Sequence, residues 1–255
     1  MTEPRIRLVT RGDDSGSCHS ANVAVLDAFE QGILRNTSLM VPAPAFEEAA
    51  EMYAGLDGLC VGLHATLTAE WDDVKWGPVL PAEEVPTLVD ENGHFYATTQ
   101  LLDQMVCEPD EMMAEVQAQL DLAREKGLQI DYVDTHMGFG WVRGMEARME
   151  EFAEREGLVP RGAVEYLPAV GGGHENPVQG LIDRLDAAPP GTYMIVGHPG
   201  YDREDMREFG HAGQEPGQVA RERDWQRRMF MDEEIVEYCK KNGVEPVRFT
   251  DVAGA

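Results

Sequence analysis

Short apolar runs alternate with helix-like segments along the whole chain, and that alternation confines the fold to one assembled from parallel βαβ units. The strand-like runs cover residues 6–10, 38–41, 59–64, 132–136, 193–197 and 244–249. Between them, helical segments over 21–30, 111–126, 145–156 and 232–241 stop near Gly32, at Gly127, at Gly157 and before Gly243. Glycine at each stop suits the left-handed residue that ends many helices. With 255 residues and 43% hydrophobic content, one α/β domain spanning 1–255 can enclose a sizeable core. The expected fold class is α/β, a single-domain, distorted TIM-like (β/α) barrel. An insertion after the third strand, 65–108, carries Trp71, Trp76, three prolines and the turn dipeptide Asn92-Gly93, and is expected to lie over one end of the sheet as a lid. Two further irregular stretches, 167–177 and 200–217, read as excursions between barrel elements.

The polar residues are placed systematically. Four apolar runs lead directly into groups that bind metals or move protons: 7–10 into Asp13-Asp14, 61–63 into His64, 133–135 into His136, and 194–197 into His198. In parallel α/β folds the carboxyl ends of the strands share one face, so one site can collect all four. Two histidines and a carboxylate with open positions form a first coordination sphere for a catalytic divalent cation. A single histidine at a strand end is commonly just a hydrogen-bonded structural residue; four such ends together are what point to a site. Asp13-Asp14 also reads as an acidic turn, but adjacent carboxylates repel unless a cation screens them. His19, His94, His174 and His211 fall in loops and read as surface residues.

Charge narrows the partners. Against 21 Lys and Arg stand 47 Asp and Glu, a net charge of −26 that repels phosphate backbones and anionic lipid surfaces. Nucleic acid and membrane are therefore not expected partners. Cys18, Cys60, Cys107 and Cys239 show no C-x-x-C pair and no disulfide framework, which fits a reducing compartment. The first residues lack an apolar export segment and no run nears the ~18 apolar residues of a membrane span. A cytoplasmic location is expected, and a homodimer is compatible with the sequence.

A family resemblance rests on an ordered set of motifs: Thr10-Arg-Gly-Asp-Asp-Ser-Gly-Ser, Ser20-Ala-Asn, Glu30-Gln-Gly-Ile-Leu-Arg-Asn-Thr-Ser-Leu-Met-Val, Pro44-Ala-Phe-Glu-Glu-Ala, Val61-Gly-Leu-His-Ala-Thr-Leu, Asp131-Tyr-Val-Asp-Thr-His, Gly197-His-Pro-Gly and Arg221-Glu-Arg-Asp. In order and spacing these resemble the YdjC-like carbohydrate deacetylases over nearly the whole chain. The resemblance implies a TIM-like barrel, a divalent metal such as Zn or Mg, and removal of acetyl groups from N-acetylated sugars such as chitooligosaccharides. It implies Asp14, His64 and His136 as metal ligands, Asp13 as catalytic base and His198 as catalytic acid. One departure is His136-Met-Gly-Phe, where the family often carries a histidine-rich run.

An amide is a poor electrophile with a poor leaving group, so these roles match what its hydrolysis demands: an activated water, oxyanion stabilisation and a proton for the amine. Asp134, at i, i+2 from His136, can orient a ligand histidine; with Trp71, Trp76 and Tyr201 it forms the expected substrate side of the site. Arg11 and Arg221 rank behind these. Two other functions use the same residues: an esterase or amidase for a non-sugar substrate, and a sugar-binding barrel without turnover.

Overall fold

Six of the seven strands form over the apolar runs, because a central parallel strand is buried on both faces and so reads as a continuous apolar run. The structure, a computed structural model, describes residues 4–170 and 175–252. Of the sequence expectations, His174 lies outside the described residues. In order, the chain forms β1 (Ile6–Ser15), α1 (His19–Gln31), β2 (Asn36–Leu39), α2 (Phe46–Tyr53), β3 (Cys60–Ala65), α3 (Thr99–Gln104), α4 (Pro109–Glu125), β4 (Ile130–Thr135), α5 (Met145–Glu156), β5 (Val159–Pro160), α6 (Pro177–Ala187), β6 (Gly191–Gly197), α7 (Gln218–Met231), α8 (Glu233–Lys241), β7 (Val244–Val247) and α9 (Phe249–Val252).

All strand pairs are parallel, in the order β5-β4-β3-β2-β1-β6. β6 pairs with β1 from Ile6 to Gly12, so β2 and β7 divide the other edge of β1: β7 takes Ile6–Val9, and β2 takes Arg11 onward. Asn36 fills the fork. Its side-chain amide donates to Thr10 O and Val247 O and accepts from Phe249 N. The result is a seven-stranded curled half-barrel in a single α/β domain. Of the distorted TIM-like barrel expected from the sequence, the described residues show this half-barrel: the fifth strand spans two residues and the edges meet at a bridge between Tyr166 and Met194.

Strand parity sorts the core into two parts. Leu8, Leu63, Val133 and Ile195 join the large cluster shared with the helices. Val9, Cys60, Tyr132, Met194 and Val247 project from the other face of their strands and pack with Val164 and Phe249 in a smaller cluster. Stepping two or four residues further along the chain from four of these positions leads to Arg11 and Asp13, to His64, to Asp134 and His136, and to His198. The functional side chains thus sit on the same sheet face, above that cluster, at the carboxyl ends of the strands.

Residues 66–98 contain no helix or strand apart from a bridge between Val89 and Phe95. One face of α4 holds the segment at i, i+4, i+8. Glu111 accepts from the backbone and hydroxyl of Thr87, Glu115 from the backbone of Val79 and Leu80, and Gln119 exchanges two hydrogen bonds with the Thr66 backbone. Of the helix stops, Gly127, Gly157 and Gly243 are left-handed as expected, whereas Gly32 has φ −118° and is extended. Glycine is needed at 32 for space: a Cβ there would lie 2.2 Å from Phe230 O. No helix among the described residues is long and apolar enough to cross a membrane.

Candidate metal centre and catalytic cleft

Asp13 and Asp14 are neighbours in β1, and a regular strand would send them to opposite faces. The β1–β2 register gains one residue in β1 between Gly12 and Ser15, and Asp14 takes φ +64°. This bulge, tolerated by aspartate better than by most residues, brings both carboxylates to the site. His64 and Asp134 arrive by register, since they face each other across the β3–β4 pair. One step earlier, Gly62 faces Tyr132, and a Cβ on Gly62 would lie 2.3 Å from the Tyr132 ring. The ring occupies that space and its hydroxyl reaches Ser38, which donates to Asp134 Oδ2. His136 follows the end of β4, where left-handed Met137 and Gly138 turn the chain away.

Three buried atoms converge. Asp14 Oδ1 is 3.3 Å from His64 Nε2 and 3.4 Å from His136 Nδ1, and the two nitrogens are 3.2 Å apart. Ligand atoms about 2.0–2.1 Å from a tetrahedral zinc stand about 3.3–3.4 Å from one another, so the triangle has the dimensions of one face of such a shell. Asp14 Oδ1 is also buried without a hydrogen-bond partner, which a cation would supply. The remaining nitrogen of each histidine meets a carboxylate: His64 Nδ1 lies 2.7 Å from Asp134 Oδ1, and His136 Nε2 lies 2.9 Å from Glu70 Oε2. Such outer partners fix the ring orientation and the ligating nitrogen. Asp13, His64 and Asp134 make a second, overlapping group of potential ligands.

Charge balance agrees with the geometry. Asp13, Asp14, Asp134 and Glu70 face two guanidinium groups. Arg11 takes both oxygens of Asp13 at 2.7 and 2.9 Å and lies 2.8 Å from Asp134 Oδ2. Arg223 donates to Asp14 Oδ2 at 2.7 Å. Burial alone would raise Asp134 and Asp14, but Arg11 and His64 hold the first below the usual carboxylate range, and Arg223 and His198 hold the second well below it. Burial would likewise lower the histidines; Asp134 outweighs it at His64, held up to about 10, and Glu70 with Asp14 at His136, held up to about 9. Sites that retain protons this firmly offer the same electron pairs to a divalent cation.

A cleft of about 370 Å³ opens beside the triangle, with His198, Trp71, Met137, Tyr166 and Arg223 among its lining residues. Gln226 Oε1 accepts from the His198 backbone and lies 3.1 Å from its Nδ1, which leaves Nε2 as the ring nitrogen without a hydrogen bond among the described residues. Trp71 is half-buried, packed by a stacked His211 ring at 5.1 Å, the Phe209 edge at 5.7 Å and the Arg223 guanidinium at 5.7 Å. Trp76 is buried, donating to Thr68 O behind His136. Tyr201 is not among the lining residues; its hydroxyl meets Asp27 and its ring lies between Arg203 and Arg227. Asp134 reaches His64 rather than His136. Glu70 and Arg223 are the residues that sequence reasoning missed. Arg221, weighed instead, is exposed and binds Pro216 O.

Residues 7–241 match the family model described as YdjC-like protein. A carbohydrate deacetylase of Listeria monocytogenes is 30% identical over 133 residues, 51% of each chain, so the chain spans about half the length of that relative. A carbohydrate deacetylase of Thermoanaerobacter pseudethanolicus is 24% identical over 257 residues, 93% of this chain and 95% of the relative. A solved structure from Enterococcus faecalis V583, named for cellobiose-phosphate cleavage, has the same fold: TM-score 0.79 at 20% identity, covering 99% of this chain and 100% of the other.

Proposed function

The chain belongs to the YdjC-like protein family, and from that premise we propose that it is a metal-dependent hydrolase that removes the N-acetyl group of an amino sugar. The observation that carries this reading is the triangle of Asp14 Oδ1, His64 Nε2 and His136 Nδ1, sized for a tetrahedral cation and backed by Asp134 and Glu70. Zinc or magnesium held by these three residues would supply Lewis-acid chemistry, acidifying water and polarising the acyl carbonyl.

The protein's own groups provide the rest. Asp13 accepts the proton of the attacking water; its two oxygens each accept one bond from Arg11 and retain a lone pair for that proton. Arg11 holds this carboxylate aligned. His198 gives a proton from Nε2 to the departing amine, with Gln226 fixing the opposite nitrogen. Trp71, wedged by His211 and Arg223, shapes the cleft wall. The curled sheet is read as a distorted barrel whose open side is narrowed where Leu167 N donates to Met194 O and Met194 N donates to Glu165 O.

The test is acetate release from N-acetylated sugars, small acyl amides and acyl esters by metal-stripped protein, with Zn²⁺, Mg²⁺, Mn²⁺ or Co²⁺ restored. Release from an amino sugar should require metal. His64→Ala should lose both metal and activity, and Asp13→Asn should keep metal and lose roughly 10²- to 10⁴-fold in kcat. Full turnover by metal-free protein, or hydrolysis of esters with none of N-acetyl sugars, overturns the reading.

A further inference from the structure

Two guanidinium groups line the cleft, and they are engaged differently. Arg11 commits all three of its nitrogens: Nε and Nη2 donate to Asp13, and Nη1 ion-pairs with Asp134 Oδ2 at 2.8 Å. Arg223 holds its one carboxylate through a single terminal nitrogen. Its Nη2 donates to Asp14 Oδ2 at 2.7 Å, while its Nη1 is buried with no hydrogen-bond or ion-pair partner among the described residues. The Arg223 side chain is 8% exposed, and a buried donor without an acceptor costs free energy, so such a group in a native site points to a ligand or a catalytic role. The arm is also held in place. Gly200 N donates to the Arg223 carbonyl at 3.3 Å, and the Trp71 ring stands 5.7 Å from the guanidinium carbon. Because the guanidinium is planar and rigid, its bond to Asp14 fixes Nη1 beside the metal triangle, and it leaves Asp14 Oδ1 to face His64 and His136.

We propose that Arg223 is a further catalytic residue, whose free Nη1 donates to the acyl oxygen of the substrate and stabilises the negative charge that develops there. The inference rests on the amino-sugar deacetylase reading and deepens it. As the water oxygen bonds to the acyl carbon, Asp13 takes a proton from that water and the carbonyl π pair moves onto the acyl oxygen. When the pair returns, the C–N bond breaks, its electrons stay on nitrogen, and His198 supplies the proton that nitrogen needs. The products are the free amine and acetic acid, which ionises to acetate. Arg223 stays protonated throughout, and its hydrogen bond strengthens as charge builds on the oxygen, which lowers the barrier rather than only binding substrate. Acetate carries the same oxygen with a full charge, so a small carboxylate is the ligand this arm takes outside turnover. A lysine ammonium can pair with Asp14 but lacks the second donor of a fixed fork.

The test sets wild type beside Arg223→Lys and Arg223→Ala, with N-acetylglucosamine and its β-1,4-linked diacetylated disaccharide as substrates and Zn²⁺ restored. Arg223→Lys should keep Zn²⁺ affinity within about fivefold, because a cation still faces Asp14, and should lose roughly 10²- to 10³-fold in kcat with KM changed far less. Free guanidinium ion at a non-denaturing concentration should raise kcat of Arg223→Ala by about tenfold or more and leave wild type unchanged. Titration of the Zn²⁺-loaded protein with isotope-labelled acetate, followed by NMR, reads the arm without turnover; its Kd should rise by about tenfold or more in both variants. Wild-type kcat in Arg223→Lys overturns the proposal. So does a loss of Zn²⁺ affinity that accounts for the whole loss of rate while acetate binding is unchanged, which would leave Arg223 as a partner of Asp14 alone. Acetate binding that depends on Arg223 in a wild type that deacetylates neither sugar sustains Nη1 as a carboxylate-binding arm and overturns the deacetylase reading.

Discussion

Asp134 Oδ1 lies 2.7 Å from Nδ1 of His64, the ring nitrogen remote from Asp14. The contact fixes which nitrogen of His64 is presented to the metal triangle, and Asp134 itself is held by Ser38 and Arg11. Replacing Asp134 with Asn should therefore weaken divalent-metal affinity by about 10- to 100-fold while the protein stays folded. Competition titration against a chelator measures this, with circular dichroism as the control. Affinity within twofold of wild type would refute an orienting role.

Arg11 is the cation beneath Asp13 and Asp134, and its side chain is 5% exposed against 6% and 1% for its partners. Removing one partner of such a group leaves uncompensated buried charge. Arg11→Met should cost about 3–5 kcal/mol of stability in urea unfolding. A loss below about 1 kcal/mol would mean that water or a cation readily replaces the guanidinium.

What could be read from the sequence follows from periodicity. His64, His136 and His198 stand at the ends of continuous apolar runs, so their common place at the carboxyl ends of the strands was legible. The pairing of Asp134 was not, because i, i+2 spacing places it near His136 while strand register places it opposite His64. Glu70 lies in a segment without periodicity, positioned by hydrogen bonds to α4. Arg223 belongs to α7, whose buried positions are Val219, Ala220, Arg223, Met229 and Phe230; a cation on the buried face conceals the amphipathic pattern that would have identified the helix. How far the sheet closes was not legible for a similar reason, since the short β5 and the Tyr166 bridge carry no strand-length apolar signal.

The four cysteines are free and buried. Burial pushes Cys18 up to about 12 and Cys107 and Cys239 up to about 11, and raises Cys60 further still. At pH 8 the native protein should react with none of a disulfide reagent, and four thiols should appear on denaturation. The sign of the linked stability follows. The unfolded thiols ionise near their ordinary value of 9.0 and the folded ones do not, so stability is full below that pH and falls as pH rises through the folded values. Denaturation midpoints measured from pH 8 to 11 test this; rapid labelling of the native protein would contradict it.

Two helix-ending glycines separate two physical reasons for glycine. At Gly127 the backbone is left-handed, φ +84°, and a Cβ would meet nothing within 4 Å. Gly127→Ala should cost about 1–2 kcal/mol through conformation alone, and Gly127→Asn should recover part of that, because asparagine adopts this region more readily. At Gly32 the backbone is extended and the obstacle is contact: Phe230 O at 2.2 Å, Ala28 O at 2.7 Å and the Met231 Cα at 2.8 Å from an added Cβ. None of these is the flexible end of a side chain, so the α1 terminus must separate from α7, at a cost of about 1–3 kcal/mol or more. Gly32→Asn adds volume where none is free and should be worse than Gly32→Ala. The order of Ala and Asn in unfolding experiments should thus reverse between the two positions, and the same order at both would show that one mechanism governs them.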